Sequence, residues 1–141
     1  MNKYKVELNE SQVELMSRAL DFYSRILALQ FREINNVLMD AKMRDPKSIK
    51  EITFENIRNI ADEMEKLKDK YTDLSQHESN GITNESTPEE ARVAYDMFKV
   101  LVHRISWDNH PEGGFQTYFD TPMHYGNEDL IKIEKINTEE N

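Results

Sequence analysis

The chain has no cysteine, so a disulfide framework and a thiolate metal site are both excluded. It has no run of about 18 apolar residues, the length that a membrane-crossing helix needs. It is poor in base, with 18 Lys and Arg against 27 Asp and Glu and a formal net charge of −9. Sequence-independent binding to nucleic acid needs a basic footprint and is disfavoured. A small anion held in a local basic pocket stays open. No signal-peptide core follows the first residues. A soluble protein, cytoplasmic in the cell that makes it, is the expectation.

Catalytic signatures are missing too. No H-x-x-x-H, H-E-x-x-H or EF-hand spacing is present, although His103, His110, His124, Asp96, Asp108 and Glu112 are available as ligands. There is no G-x-S-x-G elbow. Gly113-Gly114 lacks the Lys-Ser/Thr that completes a phosphate loop. No catalytic residue, metal or cofactor is assigned, and the expected class is non-enzymatic.

What is present is helical patterning. The 141 residues suit one domain with a modest core. From 11 to 43 two adjacent apolar stripes run at three- and four-residue steps, the first through Val13, Met16, Leu20, Tyr23, Leu27, Ile34 and Leu38. Two stripes predict one long helix covered over most of its circumference. Asn9 with Gln12 reads as a capping box at its start, and Asp45-Pro46 should end it. Thr53 can cap a second helix over 54–75, with one narrow apolar face and one charged face. Residues 76–86 read as a mobile surface loop. Thr87-Pro88-Glu89-Glu90 opens a third helix, 88–107, as N-cap, first-turn proline and capping-box acid.

The two ends alternate. Tyr4, Val6 and Leu8 interleave with Lys3, Lys5 and Glu7, which predicts a strand over 3–8. A second strand is expected over 130–136, pairing with the first to satisfy their backbone groups. The fold class expected is mainly α within α+β: three helices, with the first at the centre, and a small sheet of the two terminal strands.

Between them, residues 108–127 hold two prolines, three glycines, two histidines and four aromatics without periodicity. A loop of roughly 20 such residues tends to carry function. Aromatic rings stack on nucleobases and arginine forks hold phosphate. Trp107, Phe115, Tyr118 and Tyr125 supply rings, with Phe119 beside them. Arg25 and Arg104 supply charge, and His110 a donor near neutral pH. Gln30 interrupts the apolar stripe of the first helix, as a core-edge amide or as a ligand contact. The same aromatics could instead pin the loop to the core or form a subunit interface.

The runs Lys3 to Gln12, Ala19 to Arg25, Ala94 to Phe98 and Ile131 to Ile136 together resemble small proteins encoded by phages and prophages. The resemblance covers most of the chain and carries no catalytic motif. By analogy of size and setting it implies a homo-oligomer that sequesters a nucleotide-derived immune signal. The alternative is an acidic inhibitor that docks on a host defence enzyme.

Overall fold

The computed structural model describes residues 1–137. Among them are four α-helices: α1 (Glu10–Leu27), α2 (Glu33–Arg44), α3 (Phe54–Tyr71) and α4 (Glu89–Asn109), followed by a 3₁₀ turn, Thr117–Phe119. Two antiparallel pairs make the body. Ser24 Oγ near the end of α1 donates to the carbonyl of Ala91 at the start of α4, at 2.9 Å. Arg32 beside α2 pairs with Asp62 in α3 at 2.9 Å, while Lys42 at the other end of α2 lies 5.7 Å from the Phe54 ring.

The expected sheet is not there. No strand occurs among the described residues. Residues 1–9 leave the body as an extended arm, with Tyr4 86 % and Val6 68 % exposed. Leu130, Ile131 and Ile133 are half-buried but form no ladder. Alternation states only that an extended segment has two faces. It does not supply the partner that makes such a segment a strand.

The single helix expected over 11–43 is two helices. The break follows a helix-ending motif with an unusual residue in it. Leu29 adopts φ 60°, its N–H donates to the Ile26 carbonyl at 3.0 Å, and the Gln30 N–H donates to Arg25 at 2.9 Å. This is the Schellman pattern, whose left-handed position normally belongs to glycine. The turn is held from outside. Asn80 N–H donates to the Ala28 carbonyl at 2.9 Å, and the Lys68 ammonium reaches the Leu29 carbonyl at 3.5 Å.

Lys68 is only 2 % exposed and pairs with Glu65 at 2.7 Å. It also donates to the Glu78 carbonyl. α3 ends at Tyr71, where Thr72 Oγ1 turns back to donate to the Lys68 carbonyl at 2.7 Å. At the start of α4 no side chain caps the helix. The Thr87 hydroxyl is buried and donates instead to the Gly81 carbonyl at 2.7 Å. The 76–88 segment is therefore tied down. Arg92 donates to the carbonyls of Ile82 at 3.0 Å and Asn84 at 2.9 Å.

The buried apolar set is Ala28, Ile57, Ala61, Ala91, Ala94, Phe98 and Leu101. Four of the seven are alanines, so helix axes approach closely but little apolar volume is enclosed. The accessible surface is 10596 Å² for a 16.7 kDa chain. A compact monomer of that mass exposes about 7,600 Å². The difference, about 3,000 Å², goes with the exposed 1–9 arm and the thin core.

Candidate functional site

The eight candidate residues fall into two places. Arg25 and Gln30 meet at the α1–α2 break. The break brings them together: with the helix continuing, residues five apart would not share a face. Arg25 Nη1 donates to Gln30 Oε1 at 3.0 Å, and Gln30 Nε2 donates to the Asn80 carbonyl at 3.4 Å. Ser24, Ala28, Ile82 and Tyr95 complete the wall of a cleft of about 220 Å³. Tyr125 stands one ring further out, edge-on to Tyr95 with centroids 5.8 Å apart.

Arg25 is half-buried in this cleft. Desolvation works against its charge, but Asp21 at 2.9 Å and Glu33 at 3.8 Å outweigh it and raise its pKa. Two of its five N–H donors are used within the chain, on Asp21 and Gln30. Burial pushes the Tyr95 phenol up, and the neighbouring Tyr125 adds to this, so the hydroxyl stays a neutral donor at physiological pH.

The other five candidates, Arg104, Trp107, His110, Phe115 and Tyr118, gather around the far half of α4. Trp107 lies twelve residues from Tyr95, about 18 Å along the axis. Trp107 Nε1 donates to the Phe119 carbonyl at 3.1 Å, and the two rings meet edge-to-face at 5.4 Å. Gly113, at φ 81°, passes directly over the indole: a Cβ there would sit 3.3 Å from it. The Tyr118 ring packs on Phe98 at 6.2 Å, under the Lys99 ammonium at 5.2 Å. His103 Nδ1 bonds the Tyr118 carbonyl at 3.0 Å. Arg104 is held by Asp108 at 2.9 Å. His110 is exposed with Glu112 3.4 Å away, and Phe115 projects wholly into solvent.

The 108–127 segment is thus a strap over α4 and not the wall of an arginine-lined concavity. Its central rings, Trp107, Tyr118 and Phe119, serve to fasten it. Asp96 completes the fastening, accepting the N–H groups of Tyr125 at 3.0 Å and Gly126 at 2.7 Å. Of the arginine and aromatic types expected to converge, Arg25 and Tyr95 do so, with Tyr125 behind.

Tyr95 is read from sequence as an inward-facing core residue of α4, and Ser24 and Ile82 carry no signal of their own. Ser24 adjoins Arg25 on α1, the 76–88 segment supplies Ile82, and only the antiparallel pairing of α1 with α4 brings Tyr95 to Arg25. Among the described residues, no three His, Asp or Glu side chains stand close enough to hold a metal ion. No described helix is long and apolar enough to cross a membrane. Comparison with protein-family models, with curated proteins and with solved structures gives no match.

Proposed function

We propose that the chain is a non-enzymatic binding protein that sequesters a small nucleotide-derived ligand, working as a homo-oligomer in a phage-encoded counter-defence setting. The observation that carries this reading is the Arg25–Gln30–Tyr95 cleft. It offers a permanent cation with spare donors, an amide and a ring. These are the groups that recognise phosphate, base edges and base faces.

At about 220 Å³ the cleft is smaller than the roughly 300–1,000 Å³ of a typical small-molecule site. A second copy set against its open side would enlarge and close it. Arg25 faces two carboxylates, Asp21 and Glu33, so the local charge is net negative, which favours a ligand with few phosphates over a highly charged one.

The test is a thermal-shift series with cyclic dinucleotides and ADP-ribose derivatives. A ligand that binds only the native state must raise the melting temperature. A rise with one of them supports the reading, and a flat series in folded protein counts against it. An acidic docking protein is the second reading. It is favoured by one observation: Ile60, Leu67 and Tyr71 lie exposed along one side of α3. Recovery of one host enzyme in stoichiometric complex would select it.

A further inference from the structure

A second, larger groove lies elsewhere. It runs between α1 and α4, opens widely to solvent with a volume of about 570 Å³, and has an apolar floor of Leu20, Val93, Ala94 and Met97. Its rim is acidic: Glu89, Glu90 and Glu128 line it. Much of that charge is engaged: Glu90 accepts the Tyr23 hydroxyl, and Glu89 accepts the Asn127 N–H and meets Arg92 at 3.2 Å, which leaves Glu128 as the freest rim carboxylate. The groove joins an apolar floor to an acidic rim, so an occupant that matches it is apolar on one side and basic on the other.

The arm, residues 1–9, has the matching chemistry. Tyr4, Val6 and Leu8 are exposed and stand on one side of an extended chain. Lys3 and Lys5 stand between them, in a chain with an excess of nine negative charges. Lys5 has only a loose, exposed ion pair with Glu7 at 3.9 Å. Nine extended residues span up to about 30 Å.

The arm does not fold back onto its own cleft. The capping box fixes its exit: Gln12 N–H donates to Asn9 Oδ1 at 3.0 Å, and Asn9 N–H donates to Gln12 Oε1 at 2.9 Å. With Asn9 at φ −78° and ψ 169° the chain leaves α1 extended. Leu20 and Tyr23, on the cleft, lie 10 to 13 residues further along α1, about 15–20 Å back from that exit, so the arm would have to reverse direction beyond Asn9 to reach its own cleft.

We infer that the arm of one copy seats in the α1–α4 cleft of a second copy, Tyr4, Val6 and Leu8 on the apolar floor and Lys3 and Lys5 against Glu89, Glu90 and Glu128, reciprocally in an arm-exchanged dimer. Exchange of a terminal segment about a two-fold axis gives two identical contacts and a closed assembly. The lysine stems cover the cleft edge while their ammonium groups reach the carboxylates. This inference shares with the proposed function only the second copy, and it stands or falls without any ligand.

The experiment is multi-angle light scattering on size-exclusion-separated full chain at micromolar concentration. Wild type is expected at twice the chain mass or a multiple of it. The Val6→Asp, Leu8→Asp double variant alters only an exposed arm. It is expected to keep its circular dichroism and thermal transition but to dissociate at least tenfold more readily. Charge reversal then tests exchange between copies. Lys3→Glu with Lys5→Glu weakens assembly, Glu128→Lys weakens it separately, and an equimolar mixture of the two recovers it. A monomeric wild type overturns the inference. So does an arm variant that assembles as tightly as wild type; in that case an oligomer built through another face remains, and ligand capture is untouched. A mixture no stronger than its components also overturns the exchange.

Discussion

Asp96, 3 % exposed in the middle of α4, accepts the backbone N–H of Gly126 at 2.7 Å and that of Tyr125 at 3.0 Å. One buried carboxylate thereby fastens a segment thirty residues downstream. Hydrogen bonds to a charged acceptor contribute about 1.5–3 kcal/mol each, and the orphaned amides would have to find water. Asp96→Ala is expected to lower stability by about 2–4 kcal/mol and to open the strap. Urea unfolding gives the first quantity. Limited proteolysis gives the second, as new cleavage between 110 and 130. Asp96→Asn keeps one acceptor and should lie between the two.

Gly126 itself tolerates no side chain. A Cβ there would stand 2.9 Å from the Val93 backbone nitrogen, which belongs to α4 and cannot retreat. Gly126→Ala should cost about 1–3 kcal/mol by overpacking. Gly81→Ala, with nothing within 4 Å of the added Cβ, should leave the melting temperature within a degree or so, as surface changes usually do. Differential scanning calorimetry of the two variants compares them directly.

The Lys68–Glu65 pair is buried at both ends, with side chains 2 % and 5 % exposed. Removing one partner of such a pair strands the other charge, at about 3–5 kcal/mol. Lys68→Met should therefore be severe, more so because Lys68 also braces the Leu29 turn. Replacing both, as Lys68→Met with Glu65→Leu, is expected to recover much of the loss in chemical denaturation. A double variant as unstable as the single one would mean that bracing of the turn, and not the stranded charge, dominates.

Arg25 separates the ligand reading from simple structure. Arg25→Lys keeps the charge but loses the fork that reaches Asp21 and Gln30 together. It should abolish ligand-induced stabilisation while changing the unliganded melting temperature little. Arg104→Ala removes a half-exposed pair with Asp108 and should leave ligand binding as it was.

The starts of α1 and α3 are legible in this sequence because capping is local chemistry, whereas the Thr87 cap expected at α4 is not made. Asn9 accepts from Gln12, and Thr53 from Asn56, within three residues. The break at Leu29 is not legible, since neither glycine nor proline marks it. A leucine is held at positive φ by Lys68 and Asn80, 39 and 51 residues further along the chain. The terminal segments mislead for a related reason: Tyr4, Val6 and Leu8 alternate like a strand, but the pattern does not say that no partner comes within reach. At the site, Gln30 stands out as an amide on the apolar stripe of the first helix, while Arg25 is one of several charges on its polar strip. Tyr95 does not, because a tyrosine on an inward face reads as core until α1 packs beside it. Trp107, Tyr118 and Phe119 show the opposite error. Rings that can stack on a base can equally fasten a strap, and composition does not separate the two uses.

The most direct measurement is isothermal titration of the full chain with cyclic dinucleotides and ADP-ribose derivatives, followed by chromatography of the released ligand. Saturable binding of one of them, lost in Arg25→Lys and with the ligand recovered chemically unchanged, is the expected result. No heat from any of them in folded protein, or binding that survives Arg25→Lys intact, would contradict capture at the Arg25–Tyr95 cleft.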